Sequence, residues 1–170
     1  MTRLLLPLEH HPHSHDMTDD SLLLQLKKLP RRVQQVFLLS RLDQLSFAAI
    51  AKRLDLPALT VERHMNQALQ SVCPNADALA SKAGQWYVRL QSPQVTASER
   101  IDFRRWLDAA PAHRDAFHAT ELRWRTLLGP ARQLGVDAWY RQPRAALSVG
   151  GCSMAIGLAL AALAAIGFWS

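Results

Sequence analysis

Apolar residues along this chain recur every three or four positions, and no stretch alternates apolar with polar as a half-buried strand does. The clearest stripes lie between Ser46 and Val72. Phe47, Ile50, Ala51 and Leu54 fall at i, i+3, i+4 and i+7, and Val61, Met65, Ala68, Leu69 and Val72 form a second helical face. Asp55-Leu56-Pro57-Ala58 separates them, because Pro57 lacks an N–H and drives Leu56 out of the helical region. Helices so closely spaced bury both stripes only by crossing steeply, and the small Ala51 permits that approach. The pattern predicts a helix-turn-helix, whose second helix is shaped to enter a DNA major groove.

The same spacing organises the flanks. Asp19, Asp20 and Ser21 suit the start of a helix running to Leu29, and Pro30 opens another from Arg31 to Leu42 with Val33, Val36, Phe37 and Ser40 inward. Pro74-Asn75 marks a boundary. Beyond it Ala76, Leu79, Ala80, Ala83, Trp86, Tyr87 and Leu90 form one stripe, stopped by Ser92-Pro93. Thr96 and Glu99 then read as a capping box opening a helix with Phe103, Trp106, Leu107 and Ala110 on one side. After Pro111 a third stripe, Phe117, Thr120, Trp124 and Leu127, runs to Gly129-Pro130. Three tryptophan-bearing helices predict a small bundle.

Ala131 to Arg144 reads as a linker carrying Arg132, Arg141 and Arg144. From Ala145 to Trp169 no charge occurs, and a helix of about 24 residues would span about 36 Å, enough for a bilayer core. Arginines on the near side predict a cytoplasmic N-terminus, with Trp139-Tyr140 and Phe168-Trp169 as interfacial belts. Gly151, Ala155 and Ala159 form the kind of small-residue stripe through which two spans pair into a homodimer. The expected fold class is therefore all-α. A flexible His-rich tail (1–18) precedes a helix-turn-helix domain (19–73) and a three-helix bundle (76–129). A linker (130–144) and a transmembrane helix (145–169) complete the chain.

Charge and chemistry refine this picture. The formal balance is +6, and no charged residue lies beyond Arg144, which favours nucleic acid or an anionic surface as partner. On the outward face of the second helix, Arg63 suits a bidentate pair with guanine, and Asn66 or Gln67 with adenine, flanked by Thr60 and Gln70. Lys52 and Arg53 on the supporting helix suit phosphates. The same residues would serve equally as an ordinary solvated face. Cys73 and Cys152 sit in dissimilar surroundings and are not expected to pair. His10, His11, His13 and His15 lack a cysteine or acidic partner at ligand spacing, so a polar tail rather than a metal site is expected. No Ser/His/Asp set or glycine-rich phosphate loop stands out, so neither an enzyme nor a cofactor is expected.

The longer string from Leu26 to Gln70 resembles region four of the extracytoplasmic-function sigma factors, particularly the iron-transport group. The resemblance rests on Leu29-Pro30, Arg32, Val36-Phe37-Leu38-Leu39, Phe47, Ile50-Ala51, Leu54, Val61 and Ala68-Leu69. It implies docking on the minus-thirty-five promoter element and on RNA polymerase. Pro57-Ala58 replaces the family's serine-type cap, and Glu62 stands at a usually basic position where it would face phosphates. No region two precedes the match, so a complete sigma factor is not expected. A second string, Ala83 to Leu127, resembles the cytoplasmic N-terminal domain of FecR-type anti-sigma regulators. It does so through Trp86, Leu90, Thr96, Glu99-Arg100, Phe103, Trp106-Leu107, Pro111, His113, Ala116-Phe117 and Trp124. That resemblance implies a sigma-binding domain whose core is Trp86, Leu90, Phe103, Trp106, Leu107 and Trp124. It also implies a membrane span at this place followed by a periplasmic domain, which is not expected here because only Ser170 follows the span.

The combined expectation is a single-pass inner-membrane regulator of the iron-transport sigma/anti-sigma type. Its partners would be promoter DNA, RNA polymerase and a sigma region four, either its own or another protein's. The alternative is an anti-sigma membrane anchor or interaction protein whose helix-turn-helix no longer binds DNA.

Overall fold

The computed structural model describes residues 18–142, which form eight α-helices, one 3-10 turn and no strand. The helices are α1 (Asp19–Lys27), α2 (Arg31–Arg41), α3 (Phe47–Leu54), α4 (Ala58–Ser71), α5 (Ala78–Arg89), α6 (Ala97–Ala109), α7 (Pro111–Thr126) and α8 (Leu128–Leu134). The turn is Trp139–Arg141.

Half of the helix starts follow local capping chemistry. Thr18, Ser46, Asp77 and Thr96 cap α1, α3, α5 and α6 by accepting backbone N–H bonds from the first turn. The Thr96–Glu99 capping box forms in both directions, with Glu99 N–H to Thr96 Oγ1 at 3.2 Å and Thr96 N–H to Glu99 Oε2 at 2.8 Å. Asp55 ends α3 in the left-handed conformation, φ 51°, which its short polar side chain tolerates better than most. Arg32 donates to the Leu54 carbonyl at 3.0 Å, so that end of the helix-turn-helix is satisfied from α2.

Helix α2 lies at the centre. Val33, Val36, Phe37, Leu38, Leu39 and even Gln35 are buried, so it is covered on more than the one face its periodicity suggests. Helices α3 and α4 cover one side. The other cover comes from the stretch expected to be a linker. Gly129 and Pro130 do not end a helix there; they lie in the first turn of α8, where proline's missing N–H costs nothing. Helix α8 packs on α1, and the Trp139–Arg141 turn packs on α2. Gly135 makes the return possible, since a Cβ there would come within 2.7 Å of Leu42 Cδ1 and 3.1 Å of Tyr140 Cε1. The Gln35 amide then donates to the carbonyls of Tyr140 (2.8 Å) and Gln142 (2.9 Å). Tyr140 is 2% exposed, and its hydroxyl donates to Asp43. Arg141 completes the clamp with a 2.8 Å ion pair to the same carboxylate. Against the opposing effect of burial, these bonds hold the Asp43 carboxyl below the ordinary carboxylate range.

Helices α5, α6 and α7 form the second unit, and one apolar core joins it to the first. Val88, Leu127, Ala131 and Tyr140 belong to the same buried cluster as Leu26, Phe37, Ile50 and Met65. A ladder of rings makes the connection: Trp106 stacks near Phe103, Phe103 meets Phe117 at 4.9 Å, and Phe117 meets Tyr87 at 6.2 Å. Tyr87 meets Trp124 at 5.9 Å, and Trp124 meets Phe37 edge-on at 5.8 Å. Burial first, and Glu121 second, push the Tyr87 hydroxyl up to about 12.

One expectation needs correction. Among the described residues no helix is long and apolar enough to cross a membrane, and the expected span at 145–169 lies outside them. Among the described residues the fold class is accordingly all-α with a helix-turn-helix and with no membrane-crossing helix. The single-pass inner-membrane placement and pairing through a span lose their support with it. The His-rich tail and Cys152 also lie outside the described residues, and Cys73 is a free thiol whose ionisation burial pushes up.

Candidate nucleic-acid interface

The recognition helix is α4. Its inward stripe of Val61, Met65, Ala68 and Leu69 is buried, which sets the outward direction of every other side chain. Arg63, Gln67 and Gln70 are exposed, Thr60 and Asn66 half-exposed, and Lys52 and Arg53 stand exposed on α3. Two of these residues are already engaged. Arg63 donates to Thr60 Oγ1 at 3.4 Å, and Arg53 donates to the Arg141 carbonyl at 2.8 Å. Leu59, in the first turn of α4, is 66% exposed, a large apolar side chain left beside Arg63.

Glu62 does not face phosphates. It is 5% exposed and lies under α5, which packs along one flank of α4. Arg89 Nη1 reaches both its oxygens, at 3.1 Å and 3.0 Å, and the Ser92 hydroxyl donates to Oε1. The same guanidinium turns its other edge to Glu99, Nε to Oε1 at 2.8 Å and Nη2 to Oε2 at 3.1 Å. Arg89 thus bridges the recognition helix to the capping box that opens α6. Beside this bridge an open cleft of about 430 Å³ runs between Asn66 and Gln70 on α4 and Lys82, Gln85 and Trp86 on α5. At the far end of α4, Arg123 of α7 donates to the Val72 carbonyl at 3.0 Å. Both ends of the recognition helix are therefore held by the second unit.

Bonds from Arg89, then from Thr96, hold the Glu99 carboxyl down at about 2, against the ordinary 4.5. A depressed carboxylate contributes above its unfolded pKa and loses that contribution as pH falls towards the folded value. The Glu99 arm of the bridge should therefore be complete above about pH 4.5 and be lost as pH falls towards 2. A carboxyl-carbon NMR titration of Glu99 in the full chain checks this: the expected midpoint is about 2, and one near 4.5 would show that Arg89 is not engaged.

The residues expected to form the second unit's core are less buried than a core requires. Trp86, Leu90, Phe103, Trp106, Leu107 and Trp124 are all half-buried, and neither α6 nor α7 contributes a fully buried side chain. Trp86 meets Phe103 at 5.6 Å, and Trp106 stacks on His113 at 4.7 Å. Arg89, Ser92 and Glu62, which make the bridge, were invisible to sequence reasoning as partners; the one available signal was an acid at a position that resembles a basic one.

Residues 19–72 match the family model described as Sigma-70, region 4, and residues 82–122 match the one described as Domain of unknown function (DUF4880). No curated protein and no solved structure matches the chain. The first match makes residues 19–72 similar to the sigma-factor helix-turn-helix, a class that engages promoter DNA and RNA polymerase. The second carries no assigned activity and stops short of identifying a FecR-type fusion.

Proposed function

We propose that this chain is a transcription regulator whose sigma-like promoter-reading helix is held by a sigma-binding domain in the same polypeptide. The Glu62–Arg89–Glu99 bridge is the observation that carries this reading. A major groove is about 12 Å wide and a helix with its side chains about 10–12 Å across. A second helix packed on its flank, at about 8–10 Å between axes, makes the pair too wide to enter. With α5 docked, α4 presents Leu59, Arg63 and Gln67 but cannot descend to the bases; with α5 displaced, it can. The second unit then acts as an anti-sigma domain in cis. The FecR-like residue pattern of 83–127 supports assigning it to regulation of an iron-transport sigma factor.

The test is titration of the full chain carrying Arg89→Ala against a random duplex pool at two salt concentrations. Binding that selects particular sequences and weakens steeply with salt is expected, as in phosphate-anchored recognition. On that background Arg63→Ala should cost about 1–3 kcal/mol on the selected duplex and relax preference at one base pair. No binding at low salt would leave a DNA-silent interaction protein as the better reading.

A further inference from the structure

We infer that Leu59 is a base-reading residue which requires a thymine in the site, a deepening that rests on the DNA-binding reading above. An exposed leucine needs no explanation by itself, but this one sits where apolar surface is least expected. It is 66% exposed in the first turn of the recognition helix, the part of such helices that reaches base edges. Arg63 follows at i+4, so the two side chains share a face. The buried stripe of Val61, Met65, Ala68 and Leu69 fixes that face outward, and α5 covers the Glu62 flank instead.

The chemistry then selects the base. In the major groove the apolar feature is the C5-methyl of thymine, the remainder of each pair presenting polar donors and acceptors. A leucine offers no hydrogen bond, so beside any other base edge it would cover polar atoms without replacing their water. Four helical residues advance about 6 Å, against about 3.4 Å per base step. The thymine read by Leu59 should therefore lie within about two steps of the guanine read by Arg63.

The experiment uses the full chain carrying Arg89→Ala and the duplex it enriches from a random pool, in which each thymine is replaced singly by deoxyuridine. That change removes one methyl group and leaves every hydrogen-bonding atom in place. Burial of one such carbon corresponds to about 0.8 kcal/mol, so one replacement should weaken binding about fourfold. In a chain that also carries Leu59→Ala, the thymine and deoxyuridine duplexes should bind equally. Enrichment with no sensitive thymine, or a sensitive thymine that stays so in Leu59→Ala, overturns the assignment and leaves the DNA reading intact. Failure to enrich any duplex overturns both.

Discussion

Replacing Arg89 by alanine should tighten DNA binding by the full chain about 10- to 100-fold. On the proposed reading the docked and open states are in equilibrium, and apparent affinity falls in proportion as the open fraction falls. In the docked state Glu62 is nearly buried, and its charge is met by one guanidinium and one hydroxyl. Removing the guanidinium leaves a carboxylate that is far better solvated once α5 lifts away. Hydrogen bonds to charged groups contribute about 1.5–3 kcal/mol each, and the loss of one such contact corresponds to that range of affinity. Arg89→Lys should fall between wild type and alanine, because an ammonium cannot span Glu62 and Glu99 as a planar fork does. Arg105→Ala is the control. Its ion pair with Asp102 is long, 3.5 Å, and exposed, so binding should not change. Fluorescence titration of labelled duplex into each full-length variant checks the series; equal affinities for wild type and Arg89→Ala would remove the bridge from any regulatory role.

Trp124→Ala should lower the melting temperature of the whole chain by about 10 °C, in one transition. Trp124 touches Phe37 of the central helix and Tyr87 of α5, and the Arg41 guanidinium lies 5.2 Å over its ring. Because it is half-buried, truncation should cost about 3 kcal/mol, the lower end for a core tryptophan. For a chain of this size that amounts to about 10 °C. The larger consequence concerns cooperativity. A core that contains Leu127 and Ala131 alongside Phe37 and Leu26 should melt as one unit. Calorimetry of the wild type should show a single peak over these residues, and two well-separated peaks, only one of them moved by Trp124→Ala, would show independent modules.

Features that depend on near neighbours are legible in the chain alone. The helix-turn-helix was legible because Phe47, Ile50 and Leu54, and then Val61, Met65 and Leu69, repeat within a few turns around Pro57. The Thr96–Glu99 box was legible because its two bonds span three residues. Arg63 and Gln67 could be placed outward from the same stripe. Periodicity tells which face of a helix is buried, but not what buries it. Leu38 and Leu39 were therefore visible as apolar without revealing that residues 128–142 return to cover α2. Pro130 looked like a terminator because proline forbids a helix interior, yet a first turn accepts it.

Contacts between distant residues follow from how the helices pack. Asp43 meets Tyr140 across 97 positions, and Glu62 meets Arg89 across 27. A carboxylate at the flank of a helical wheel faces away from that helix's own apolar stripe, whether toward solvent or toward a neighbouring helix. Its burial depends on whether another helix lies on that flank, and an ion pair forms only where the fold brings a guanidinium to it. Glu62 is paired with Arg89 instead of being turned to phosphate because α5 packs on that flank of α4.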